Sequence, residues 1–267
     1  DEYIFCSVQG LMSKDVGYST RFLKNEKYLG GSFAIANHIN EFCKNTTLFS
    51  ILGYDDIKNL VIENANFNLD VEYSKQYSTI FKTRYVLENE NREELKKLFA
   101  ITNLKEYNNI NSSIMDILKS KLKKIIKQFD LVVLCDFGHG LINKDIIDII
   151  EKNAKILSIN CQTNSSNYSR NLITKYKRTN TFVLDQKELK LAIPSYEEDE
   201  QNSLKILSNI LGSNGFLTRG SKGAFLVKDN EICSCPALVL KVKDTIGAGD
   251  AFFSLSSPCK GVNARDQ

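Results

Sequence analysis

The chain has 267 residues, 42% of them hydrophobic, and its 35 Lys and Arg nearly balance 32 Asp and Glu, leaving a formal net charge of +3. That balance argues against a nucleic-acid binder, and the apolar content is high enough to offset the roughly 1–2 kcal/mol per residue of backbone entropy that a disordered chain keeps. One enzyme-sized domain is expected over 1–267, because α/β units of about 250 residues are common and no Pro-, Gly- or Ser-rich linker divides this sequence.

The first ninety residues carry YIFCSV, STRFLKNEKYL and VEYSKQYSTIFKTRYVLEN, in which β-branched and aromatic residues alternate with polar ones. This is the two-residue period of half-exposed antiparallel strands. It predicts a small β lid drawn from about 1–30 and 70–90. Between these stretches a Gly30-Gly31 turn opens a helix marked by Phe33, Ala36, Ile39 and Phe42 or Cys43, followed by the apolar strand TLFSILG.

From about residue 113 helices and strands alternate. Ile114, Ile117, Leu118, Leu122, Ile125 and Ile126 form a helical stripe, and Lys119, Lys121, Lys123, Lys124 and Lys127 read as its solvated face. The strands DLVVLCD, KILSIN, TFVLD and GFLTRG are nearly continuous apolar runs separated by helices NKDIIDIIEKN, QKELKLA and SLKILSNIL. Such runs belong to a mainly parallel sheet covered on both faces, with ligands beyond the carboxyl ends of its strands. AFLVKDNEICSC is a hairpin turning near Asp229-Asn230.

The segment richest in chemistry is KVKDTIGAGDAFFSLSS. Gly247-Ala248-Gly249 is a small-residue turn ahead of an apolar helix start, so backbone N–H groups converge there without obstruction. The helix dipole adds roughly half a positive charge, and the result is an anion site. Asp250 follows in the first turn, where it can take a proton from an attacking hydroxyl, or can simply be an acid favoured by the dipole. GAGDAF lacks the third small residue of a dinucleotide fingerprint, and GFLTRGSKG has the wrong order for a P-loop.

Seven scattered cysteines, an odd number, read as reduced thiols of a cytoplasmic protein. Cys233 and Cys235 lack the second half of a zinc site. No run of about 18 apolar residues marks a membrane span, and no basic-then-apolar leader opens the chain. The sequence starts at Asp1 as though a strand were under way and stops soon after a helix begins, as a segment cut from a longer polypeptide would.

DTIGAGD resembles the C-terminal signature of the ribokinase-like, or PfkB, carbohydrate kinases. LGGSFAIANHI resembles their N-terminal Gly-Gly motif, and FLTRGSKGAFLV their strand-turn-strand beside the nucleotide. FKTRYV and LVVLCDFGHG are most similar to segments of heptose-phosphate kinase domains. The resemblance implies a three-layer αβα sandwich with a mainly parallel central sheet and a small β lid. It implies ATP and Mg²⁺ as cofactors, a sugar or sugar phosphate as substrate, and in some relatives an attached nucleotidyltransferase module.

Carried onto this sequence, the resemblance makes Asp250 the general base, Gly247, Ala248 and Gly249 the anion hole, and Asp244 a neighbour of the phosphates. Asp1, Gly30 and Gly31 would meet the sugar. Lys82 and Arg84, two apart on a strand, would clamp a substrate phosphate or form a basic edge. Asp136 and His139 would lie in a substrate loop, where His139 is either a substrate contact or an ordinary loop histidine. Thr218, Arg219 and Gly220 would flank ATP, and Glu188 would organise Mg²⁺ unless it is a solvated helix residue. Several positions depart from the pattern: Ala34 and Ile35 stand where an Asn is usual, Asp185 replaces the Asn of an NxxE motif, and SINCQTNSSN replaces an Asp-Pro-Lys type loop. A non-catalytic binding domain and a nucleoside kinase are the competing functions. The lid's open strand edges also suggest a homodimer.

Overall fold

The computed structural model describes residues 1–267 except 89–94, 105–109, 195–198, 239–241, 243 and 262–267. In chain order the elements are β1 (Glu2–Leu11), β2 (Tyr18–Lys27), α1 (Ser32–Asn40), β3 (Thr47–Gly53), α2 (Ile57–Asn64), β4 (Asn68–Ser74), β5 (Phe81–Leu87), β6 (Lys96–Asn103) and α3 (Ser112–Ile125). There follow β7 (Leu131–Asp136), α4 (Lys144–Asn153), β8 (Ile156–Cys161), β9 (Thr181–Asp185), α5 (Gln186–Ala192), α6 (Glu200–Leu211), β10 (Asn214–Thr218), β11 (Ala224–Lys228), β12 (Glu231–Cys235) and α7 (Ala248–Gly261).

Apolar runs with no polar face must be covered twice, and the central sheet shows how. Its order is β12-β11-β10-β9-β8-β7, parallel from β7 to β10 and antiparallel beyond. Along β9, Phe182 and Leu184 enter the large core with α3, α4, α5 and α6, while Val183 points to the opposite core with Ile35, Ile39 and Phe253 of α1 and α7. This is the expected three-layer sandwich. Local chemistry sets the helix ends: Asn143 caps α4 by accepting from the Ile146 N–H at 3.0 Å, and Asp199 caps α6. The β11–β12 turn uses Asp229 and Asn230 at φ 49° and 65°, the left-handed pair that suits a tight hairpin.

The lid is a four-stranded sheet in the order β2-β1-β5-β6, with β1 and β5 parallel. Two expectations need correction. Asn68–Ser74 does not join the lid but pairs in parallel with β3, Val71 opposite Ser50 and Tyr73 opposite Leu52, through the crossover helix α2. Alternation identifies a strand but not its partner, and a parallel partner requires a crossover that α2's short, weakly patterned sequence does not advertise. The lid instead takes its fourth strand from Lys96–Asn103, which follows a charged run and carries little alternation.

Candidate active site

A cleft of about 1250 Å³ opens between the lid, the carboxyl ends of the parallel strands and the start of α7. Asp1, Gly30, Gly31, Lys82, Arg84, Asp136, His139, Thr218, Asp244, Glu188 and 247–250 all line it, whereas Arg219 and Gly220 do not.

At α7 the backbone supplies what the motif suggests. Gly247 has φ 77°, a left-handed conformation that glycine takes without strain. The places where a Cβ of Gly247 or Gly249 would stand have no atom within 4 Å. Asp244 Oδ1 accepts from the Ile246 N–H at 3.0 Å, and the Ala251 N–H reaches Gly247 O at 2.8 Å to open the helix. Among the described residues the N–H groups of Gly247, Gly249 and Asp250 have no backbone acceptor, while that of Ala248 turns back to Thr245 O at 3.3 Å. The amides left open at this helix start are therefore those of residues 247, 249 and 250, while that of Ala248 closes the turn. Asp244 also pairs with Lys97 of the lid at 3.3 Å, tying the lid to this turn.

Asp250 lies one turn ahead of the fully buried Phe253, which fixes α7 against the sheet. Its carboxyl faces the cleft half-buried and accepts from Gln162 Nε2 at 2.7 Å. Burial raises its pKa above the ordinary aspartate value, opposed by the Gln162 hydrogen bond and by His38 and Arg84. An acid so tuned holds a proton more readily than a surface aspartate. Gln162 was not expected at the site, since it comes from a segment whose sequence only signals a departure.

At the lid end, Asp1 forms an ion pair with Arg84 at 2.8 Å. A Cβ on Gly30 would stand 2.6 Å from Asp1 Oδ2, and one on Gly31, at φ 55°, would stand 3.3 Å from the Phe137 ring. The glycine pair thus admits the Asp1 carboxylate and the Phe137 ring close against the backbone, in the wall of the cleft where a sugar was expected to approach. Lys82 points to the same side as Arg84, and among the described residues the charges that act on it are those of two cations. Burial, then Arg84 and Lys97, push its pKa down.

Asp136 is also corrected. Its carboxylate is 2% exposed and fully engaged: Oδ1 accepts from the Gly138 N–H at 2.9 Å, while Oδ2 meets Tyr176 Oη at 2.6 Å and Lys175 Nζ at 2.5 Å. It shapes the 137–140 loop rather than presenting itself to a ligand. His139 on that loop is half-buried in the cleft wall. Its Nδ1 has no hydrogen-bond partner among the described residues, and burial lowers its pKa, with Asp136 opposing and Lys82 adding to the effect.

Thr218, expected beside ATP, lines the cleft, its Oγ1 donating to Leu184 O at 3.3 Å. Arg219, expected beside ATP, is committed elsewhere: Nε donates to Glu200 at 2.7 Å and the guanidinium lies 3.9 Å from the Phe225 ring centroid. Gly220 takes φ 57° in the same turn, outside the cleft lining. Both act on the turn's shape.

Glu188 is not a solvated helix residue. It is 8% exposed, accepts from the Asp185 and Thr163 N–H groups at 2.9 and 3.0 Å, and completes a capping box with Asp185. Burial, then the charge of Asp185, raise its pKa to about 7, and Asp250 adds to this despite the two N–H bonds. Oxygen donors in a field of excess negative charge suit Mg²⁺. Among the described residues no three His, Cys, Asp or Glu side chains converge as a direct metal site, and Glu188 and Asp185 are the acids near this end of the cleft.

The Glu188 carboxyl keeps its proton to about pH 7 when folded but releases it near 4.5 when unfolded. The folded state therefore binds more protons across that window, and stability falls as pH rises through it. In chelator-treated buffer, Glu188→Gln is expected to remove a fall of roughly 3 kcal/mol. Urea titrations of both proteins at pH 4.5 and 8 check this, and parallel pH dependences would refute it.

Residues 13–255 match the pfkB family of carbohydrate kinases. The bifunctional protein HldE of Campylobacter fetus subsp. fetus is 23% identical over 273 residues, covering 97% of this chain and 56% of that protein. HldE of Aliarcobacter butzleri is 24% identical, covering 95% of this chain and 53% of that protein. The chain thus spans about half the length of these curated relatives. Among solved structures, phosphofructokinase-2 from Escherichia coli in complex with substrates and products superposes with a TM-score of 0.74 at 13% identity, over 99% of this chain and 84% of that one. Ribokinase from Giardia lamblia gives 0.63 at 15% identity, over 95% and 79%. At these identities the structural likeness carries the fold.

Proposed function

We propose, for a chain that belongs to the pfkB family of carbohydrate kinases, that it transfers the γ-phosphoryl group of ATP to a hydroxyl of a heptose-like sugar phosphate. The observation that carries this reading is one cleft holding a half-buried carboxylate, helix-start amides without a backbone acceptor among the described residues, and a lysine flanked by two cations. Asp250 takes the proton of the acceptor hydroxyl as its oxygen bonds to the γ-phosphorus and the bond to the β-bridging oxygen breaks, releasing ADP. The N–H groups of Gly247, Gly249 and Asp250 receive the charge on the equatorial oxygens. Mg²⁺ bound near Glu188 and Asp185 would neutralise charge between the β- and γ-phosphates. Lys82, with Arg84 beside it, meets the phosphate already on the acceptor.

The test is phosphate transfer by the full-length protein with a panel of heptoses, hexoses and pentoses, each with and without a phosphate. The phosphorylated member of the best pair is expected to show a kcat/KM on the order of 10² higher, the effect of one or two charge-assisted hydrogen bonds. Equal use of neutral sugars or nucleosides would overturn the acceptor class.

Relatives named bifunctional, of which this chain spans about half, support a second module in the whole protein, and we assign it nucleotidyltransfer. All seven cysteines are free, including buried Cys6 and Cys161, and no helix among the described residues is long and apolar enough to cross a membrane. Both facts support a cytoplasmic enzyme. The lid face turned from the cleft carries Tyr85 stacked on Phe99 at 4.5 Å, with Phe99 and Ile101 more than half exposed. A second copy of the chain is the partner we assign to it. Light scattering should give a dimer that Phe99→Lys dissociates, and a monomer at high concentration would exclude it.

A further inference from the structure

The backbone around Gln162 is held on several sides. Its N–H donates to Asp136 O at 2.8 Å, and its carbonyl accepts from Asn171 Nδ2 at 3.1 Å. The next N–H, of Thr163, donates to Glu188 at 3.0 Å. Asn171 in turn reaches Asp136 O at 3.1 Å and accepts from Lys175 Nζ at 2.6 Å. The side chain thus leaves a fixed point beyond the end of β8, and Nε2 reaches Asp250 Oδ1 at 2.7 Å across 88 residues of sequence.

We propose that Gln162 is a positioning residue for the general base: its amide holds Asp250 Oδ1, so that Oδ2 is the oxygen presented to the acceptor hydroxyl in its charged, proton-accepting form. This rests on the reading of Asp250 as base. The carboxyl torsion of an aspartate is broad and roughly two-fold, so one fixed oxygen is needed to aim the other. An amide N–H donates and cannot itself ionise, so it favours the carboxylate without adding charge. The groups facing Asp250 from other elements are His38 of α1, Arg84 of β5, the Cys135 thiol of β7 and Glu188 of α5. The first two favour its ionised form and Glu188 opposes it. Removing Gln162 leaves those charges in place, which makes its contribution separable.

The experiment is the pH profile of kcat/KM for Gln162→Leu, Gln162→Glu and Asp250→Asn in the full-length protein, using ATP and the best sugar phosphate from the panel. In Gln162→Leu the ascending limb should move up by about one pH unit, a loss of roughly tenfold below the limb that is largely recovered above it, with the KM for the sugar phosphate unchanged. Gln162→Glu, equal in size, puts a second carboxylate beside the first and should move the limb further, so it serves if the leucine variant does not fold. A folded Gln162 variant with an unmoved limb, including one with a uniform loss at every pH, overturns the positioning role. If Asp250→Asn turns over normally, the base itself is misassigned. If Asp250→Asn is inactive and the Gln162 limb stays in place, only the positioning role fails.

Discussion

Asp250→Asn is expected to lower kcat by on the order of 10²–10⁴ with little change in the KM for either substrate. The substitution keeps the size of the side chain and an oxygen for Gln162 Nε2, so the contact at 2.7 Å survives while the proton acceptor is lost. General-base removal typically costs this much, roughly 3–5 kcal/mol of barrier. The N–H groups of Gly247, Gly249 and Asp250 remain, so residual transfer above the uncatalysed rate should persist through charge stabilisation alone. Steady-state kinetics with a coupled ADP assay, alongside a melting curve showing the variant folded, decide the point. Turnover within a factor of two or three of the wild type would mean that the proton goes elsewhere.

The second large effect concerns Lys82. Lys82→Met should raise the KM for the sugar phosphate on the order of 10–100-fold, leave kcat nearly unchanged, and leave the use of an unphosphorylated sugar unaffected. A half-buried ammonium beside Arg84 and Lys97, held below its ordinary pKa, is in a poor environment until a dianion arrives. Arg84 already shares its charge with Asp1 at 2.8 Å, which leaves Lys82 as the larger gain on binding. The methionine keeps the apolar stem, so the ligand-free protein should be no less stable, which thermal melting against wild type checks directly. Because the pKa is lowered, KM should also climb at an alkaline pH lower than that of an exposed lysine. Equal KM changes for phosphorylated and neutral sugars would show that Lys82 only supports the lid.

The sandwich and the open-amide turn ahead of α7 were legible because each is written in neighbouring residues. Apolar runs such as TFVLD declare a strand covered on both faces, Asp229-Asn230 declare a hairpin, and Gly247 and Gly249 ahead of an apolar helix declare open amides. The lid was legible as alternation, but its membership was not. Asn68–Ser74 alternates as a lid strand would, and only packing sends it to β3 while Lys96–Asn103 closes the lid beside β5.

The site divides along the same line. The motif placed Asp250, and two-residue spacing placed Lys82 and Arg84 on one side of a strand, because both are properties of a few consecutive backbone units. Which group each side chain meets was decided by the folded chain. Glu200 draws Arg219 away from the cleft, Tyr176 and Lys175 bury Asp136, Asp1 and Phe137 occupy the space above Gly30 and Gly31, and Gln162 reaches Asp250. These partners lie from 19 to 88 residues apart where their hydrogen bonds are concerned. Local propensity says nothing at that range, where shape, burial and the need to satisfy each buried polar group select the pairs.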